Sequence, residues 1–201
     1  PALAEKQKSA APVELLPPAL QTPASIAPAV VPPPVPVAVP AEPAPFWTIG
    51  NASALLFFIQ GVGTRGLNPA DYGPDSLQVA IKAGEGTALN DIATLAFRQL
   101  LIDLRDGRTP YAARVQWFIR DPDATNFPTN DLLRKALDSH DFEGVFSSVE
   151  PTHPDYAALK AMLATTKDPA RQLIIKTNME RWRWLPRDLG KRYVFVNVPE
   201  Y

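Results

Sequence analysis

The chain has 201 residues, a formal net charge of −1 and no cysteine. That length suits one domain plus a tail, or one domain and part of another. The near-balanced charge gives no basic field for nucleic acid or anionic lipid, and without cysteine these residues hold no disulfide, thiolate zinc site or cysteine nucleophile.

More than half of the 23 prolines fall in residues 1–45, where Ala and Val supply most of the rest. Proline fixes φ and removes a backbone donor, so helix and sheet are both disfavoured there. The segment reads as a disordered, polyproline-II-rich leader that reaches on the order of 100 Å when extended. We expect a spacer, since the basic residue that flanks SH3-type ligands is missing around Pro32 and Pro40. The sequence starts at Pro1 rather than Met, which points to a processed or cut start, and no signal peptide is visible. The longest strongly apolar run, residues 54–59, is too short to span a bilayer.

Composition changes at Phe46, and the domain boundary is placed there. Asn51 or Ser53 is a candidate cap for a helix carrying Leu55, Leu56, Phe58 and Ile59, ending near Gly61 to Gly66. Leu77, Val79 and Ile81 alternate as in a strand, but Pro74 followed by Asp75 favours a short helix. The clearest helix comes next, with Asn90 as its expected cap and Ile92, Ala96, Leu100 and Leu104 repeating every four residues. Arg105 in its last turn and Gly107 just beyond follow the order a helix end prefers. Arg105 and Arg108 are read as solvated partners of Asp103 or Asp106.

Residues 115–119, VQWFI, look extended, with Trp117 as an expected core residue. Thr129 or Asn130 then caps a helix bearing Leu132, Leu133, Ala136 and Leu137. Tyr156, Leu159 and Leu163 mark the buried stripe of another. The closing helix starts at Asp168 and Pro169, a cap and first-turn pair. Trp182 and Trp184 are two apart and leave it in opposing directions, so one should plug the helical core while the other faces a neighbouring domain. Residues 193–198, YVFVNV, read as a strand apolar on both faces. We expect it to be an orphan, because the chain scarcely supplies a sheet to pair it.

Several segments carry a family resemblance. ERWRWLP at residues 180–186, followed by YVFVNVPEY at 193–201, resembles the junction just before the catalytic domain of the large L,D-transpeptidases, whose catalytic domain is of the YkuD type. GLNPADY at residues 66–72, DLRDGR at 103–108 and the Tyr156, Leu159, Leu163 spacing are similar to the scaffold that precedes that domain. The resemblance implies a periplasmic or cell-envelope enzyme that forms 3–3 peptidoglycan cross-links. A cysteine thiolate attacks the stem peptide, and the resulting thioester is resolved by the amine of a neighbouring stem. The family's SHGC-type motif has no counterpart in these residues, so no catalytic residue is carried over. The partners implied are peptidoglycan, reached through the parent enzyme, and the chain's own downstream catalytic domain. No cofactor, metal or nucleic acid is expected. Some family members carry a peptidoglycan-binding module before the closing helix; the few residues between Ala164 and Asp168 leave no room for one.

Other constellations weigh less. Ser139, His140 and Asp141 are triad residue types in a row, but triads are assembled in space rather than along the chain. His140 suits a helix end, and His153, before Pro154, a cap or surface position. Gly61, Gly63 and Gly66 lack the strand and the Lys-Ser/Thr of a phosphate loop. Arg181, Arg183 and Arg187 beside two tryptophans allow a stacking patch, yet pairing with Glu180 and Asp188 to brace a domain junction is the better reading.

The expected architecture is therefore mainly α. It comprises a Pro-rich linker at 1–45, a helical scaffold domain at 46–190 and the first strand of a missing catalytic domain at 191–201. The junction is assigned to Arg181, Trp182, Arg183, Trp184, Tyr193 and Phe195. The alternative is a stand-alone helical module that binds the cell wall or a partner on a Pro-rich spacer.

Overall fold

A computed structural model describes residues 45–120 and 123–189. The Pro-rich leader and the 193–198 strand, with Tyr193 and Phe195, lie outside the described residues. Those that are described are mainly α and hold eight α-helices: α1 (Ile49–Gly61), α2 (Pro74–Ala83), α3 (Thr87–Asp106), α4 (Asp123–Asn126), α5 (Thr129–Ser139), α6 (Phe142–Ser147), α7 (Pro154–Thr165) and α8 (Pro169–Arg183). No helix among them is long and apolar enough to cross a membrane.

Helix α3 is the axis of the body. Its 20 residues span ~30 Å at the α-helical rise. Leu89, Ala93, Phe97, Leu100 and Leu104 on it are buried, spaced by threes and fours. Helices α1, α2, α5 and α6 close around that stripe and share one apolar cluster with it, which includes Leu55, Ile59, Leu77, Leu133 and Phe146. Trp47, fully buried, enters just ahead of α1. It stacks on Phe142 with ring centroids 5.7 Å apart and meets Phe97 edge-on at 6.2 Å. A second, smaller cluster holds Tyr156 and Leu163 from α7 with Ile175 and Met179 from α8, and Leu159 and Trp182 pack against it.

Several helix starts differ from the sequence expectation, for a common reason. Thr48 caps α1 by accepting the Asn51 N–H at 3.1 Å, so the helix begins ahead of Asn51. Buried Asn51 ties α1 to the end of α5, donating to the Leu137 carbonyl at 3.2 Å and meeting His140 Nδ1 at 2.5 Å. Ser53 donates to the Ile49 carbonyl within the same helix. Asn90 lies inside α3, which begins at Thr87, and accepts the Trp47 backbone N–H at 2.8 Å. Pro128 precedes α5; Thr129 is its first residue, and Asn130 accepts from Arg98 at 2.8 Å. Asn51, Asn90 and Asn130, each able to cap locally, are held by distant partners instead, while Ser53 bonds back within its own helix. Pro74 does open a helix, and Asp168 caps α8 through the Ala170 N–H.

The expected extended segment at 115–119 is an irregular loop. Val115 and Phe118 are 88% and 86% exposed, and Gln116 takes a left-handed φ of 54°. No strand among the described residues lies there to pair its backbone, and the reversal at Gln116 breaks the run. Trp117 is half-buried and meets Trp184 edge-on at 5.3 Å rather than joining the core.

Replacing Trp47 by Ala should cost about 3–5 kcal/mol in urea unfolding, the range for a large aromatic removed from a packed core. Val115→Ala should stay within about 0.5 kcal/mol of the parent chain. A Val115 effect as large as that of Trp47 would contradict this assignment of core and loop.

Candidate functional site

Of the residues assigned from sequence to a domain junction, Arg181, Trp182 and Arg183 lie in the last turn of α8 and Trp184 follows as its C-cap. This helix buries Ile175, Met179 and Arg183, a stripe of period four whose third position is a charged residue. Arg183 is 1% exposed, whereas Trp182 and Trp184 on either side are half-buried and Arg181 is exposed. As the sequence suggested, one tryptophan, Trp182, packs against the small core, but the fully buried position between the two rings goes to the Arg183 guanidinium. Trp182 stacks on the His153 ring at 4.3 Å, and His153 caps α7 by accepting the Asp155 N–H. Trp184 is held by Trp117, by the Arg114 guanidinium 4.9 Å from its ring, and by donation from its Nε1 to Glu180 at 3.1 Å.

The buried arginine belongs to a charged seam between the two apolar clusters. Arg183 Nη2 donates to the Arg65 carbonyl and to the Tyr156 hydroxyl, the latter at 3.1 Å, and Nη1 lies 3.5 Å from Glu180. Its Nε meets no acceptor among the described residues. Burial pushes the Tyr156 hydroxyl pKa up, opposed by the charge of Arg183. Arg65 pairs with both Glu143 and Glu150, and Lys160 of α7 reaches Glu150 at 2.7 Å. Arg187 extends the seam past α8: its Nε donates to the Val149 carbonyl at 2.8 Å and its Nη2 to that of Arg105, and its backbone N–H donates to buried Asp123 at 2.9 Å. Arg105, read from sequence as solvated, is 4% exposed; it pairs with Asp106 at 2.7 Å and donates to the Phe127 carbonyl.

Glu180 organises the opposite side of α8. One of its oxygens accepts the backbone N–H groups of Arg108 at 2.6 Å and Thr109 at 2.9 Å. The approach needs glycine at 107. Its φ is +79°, and a Cβ there would lie 2.6 Å from that oxygen and 2.9 Å from the Trp184 ring. Next to it, Arg108 pairs with Asp71 at 2.6 Å and approaches buried Asp103 at 3.6 Å, while Tyr72 donates to Asp103 at 2.9 Å. Burial raises the Asp103 carboxyl above its ordinary range, offset in part by the Tyr72 hydrogen bond and by Arg108. Burial and the Asp103 charge push the Tyr72 hydroxyl up as well.

Ser139, His140 and Asp141 are directed to three different partners. Ser139 donates to the Lys135 carbonyl, His140 meets Asn51, and Asp141 caps α6 through the Gly144 N–H at 2.7 Å. The sequence signal that reveals Arg183 is the spacing Ile175, Met179, Arg183; the burial of Asp103 and Arg105 carries no comparable mark.

Fold and site together define a helical scaffold whose charged residues are spent on joining elements. A family model described as Scaffold domain matches residues 41–163, more than half of the chain, and the chain belongs to that family. The match runs through α1 to α6 and most of α7, so α8 lies beyond it. No curated protein and no solved structure gives a significant match.

Replacing Arg183 by Ala should cost about 3–5 kcal/mol in urea unfolding, because it strips the seam of its central cation. Trp182→Ala should cost less, since that ring is only half-buried; the reverse order would return the tryptophan to the core. The raised Asp103 carboxyl sets a pH dependence. Between the unfolded value of about 3.9 and the raised folded one, the native chain holds the extra proton, so this group's stabilisation falls as pH rises. Asp103→Asn keeps an acceptor for Tyr72 and cannot ionise. The difference in melting temperature, parent minus variant, should therefore decline as pH rises from about 4 through that window. A flat or rising difference would contradict the assignment.

Proposed function

We propose that this scaffold is the non-catalytic part of a periplasmic L,D-transpeptidase that forms 3–3 peptidoglycan cross-links, and that it positions the enzyme's catalytic domain. The observation that carries the reading is the arginine seam. Arg183 and Arg187 fasten the end of α8 and residues 184–189 to the body through buried donors, so a domain continuing from that point would start in a defined direction. The half-buried Trp182 and Trp184 offer aromatic surface beside the exit. The ERWRWLP resemblance and membership of a scaffold family support the same reading. Peptidoglycan is then the partner of the whole enzyme, and the thiolate required for acyl transfer comes from the catalytic domain.

The test is muropeptide analysis by mass spectrometry of cells lacking the gene, complemented with the intact gene or with its Arg187→Ala form. We expect 3–3 linked muropeptides to fall on deletion, to return with the intact gene and to return only in part with the variant. An unchanged 3–3 fraction on deletion would overturn the proposal in favour of a wall-binding or partner-binding module.

A further inference from the structure

Helix α8 has a second face that the core does not use. Leu173, Lys176, Thr177, Glu180, Arg181 and Trp184 follow one another by steps of three and one turn after turn, opposite the stripe of Ile175, Met179 and Arg183. This face forms the floor of an open groove of about 730 Å³, with residues 66–68 and 108–110 as walls. Both walls lie close to the helix because of glycine. Gly66, at φ +75°, would place a Cβ 3.3 Å from Met179 and 3.4 Å from Lys176, and Gly107 sits directly over Glu180 and Trp184.

The charges in the groove are unevenly used. Glu180 is saturated by two backbone N–H groups, the Trp184 indole and the nearby Arg183. Arg108 is neutralised by Asp71 and Asp103. Arg181 stands exposed at the edge. Lys176 is half-buried on the floor and has no hydrogen bond or ion pair to any of these acids, the acids of the groove being committed elsewhere. A half-buried lysine that pairs with none of the groove's carboxylates leaves a cation for an anionic guest. The ends of the floor are apolar, with Leu173 66% exposed at one and the Trp184 ring at the other. From Leu173 to Trp184 the helix rises ~16 Å, the length of about five extended residues. The groove runs along the side of the helix, away from the free N–H groups of an N-terminus, and it contains a carboxylate. A singly charged carboxylate suits it better than a phosphate.

We propose that this groove binds a short extended peptide through a carboxylate on Lys176, with apolar contacts at Leu173 and Trp184. On the function proposed above, such a peptide would be a peptidoglycan stem; the groove's chemistry by itself asks only for the peptide and its carboxylate.

The experiment is a calorimetric titration of the full 201-residue chain with two probes, tetra-alanine bearing a free C-terminal carboxylate and its C-terminal amide, alongside the peptidoglycan tetrapeptide stem. We expect the acid to bind about ten-fold more tightly than the amide, and Lys176→Gln to remove that difference while Lys176→Arg retains most of it. Lys82→Gln, on exposed α2 surface, should leave binding unchanged. Melting curves and Leu173→Ser, which should weaken both probes alike, separate loss of the site from loss of the fold. No binding of the acid or the stem at millimolar concentration, equal binding of acid and amide, or an unchanged acid preference in Lys176→Gln would overturn the proposal. A stem that binds no better than tetra-alanine leaves the groove assignment intact and counts against a stem-specific role. Failure of the transpeptidase reading would appear in the muropeptide analysis and leave these titrations untouched.

Discussion

The guanidinium of Arg183 holds together two halves that would otherwise have little in common. Charged side chains lie between the large apolar cluster around α3 and the small one between α7 and α8. Arg183 crosses between them with donors to a carbonyl of the 62–65 turn, a hydroxyl on α7 and a carboxylate on its own helix. Burying the charge is costly, and the cost is offset only because these acceptors already stand in place. An apolar side chain there would pack against the same neighbours but would leave the Tyr156 hydroxyl and the Arg65 carbonyl without their partner.

Arginine recurs along the seam because its planar fork serves several acceptors at once. Arg65 spans two glutamates, one on α6 and one just after it. Arg187 gathers carbonyls from α3 and from the end of the α6 segment. Such contacts are directional in a way that apolar burial is not, so the α7–α8 pair is held in a particular orientation as well as attached. That property is the one a scaffold needs if a further domain is to be presented from the end of α8.

Helix α8 is consequently two-sided. Its inner stripe belongs to the seam and the small core. Its outer face, with Lys176 between apolar ends, lies open in a groove shaped by the close approach of two glycine-bearing turns. The same helix would thus set the direction of the chain and offer a binding face. A ligand lying along the groove would touch the Trp184 ring, next to the residue that fastens the exit.

The helical class and most helix positions could be read from the sequence. Pro74 with Asp75, the four-residue repeat of α3, the Asp168 cap and the Tyr156 to Leu163 spacing are local signals, governed by propensity and periodicity, and they act wherever the chain goes. Tertiary structure decided what polar side chains do once several partners compete for them. Asn51, Asn90 and Asn130 could each have capped a helix, and each is claimed by a partner more than thirty residues away. Arg105 looked like a solvated charge and Trp117 like a core residue. Their positions were exchanged because the first meets a carbonyl and a carboxylate in the interior while the second meets another tryptophan near the surface. In the same way the interior place beside Trp182 and Trp184 went to Arg183. Periodicity could mark that position as inward, but only the assembled fold supplies the acceptors that allow a charge to occupy it.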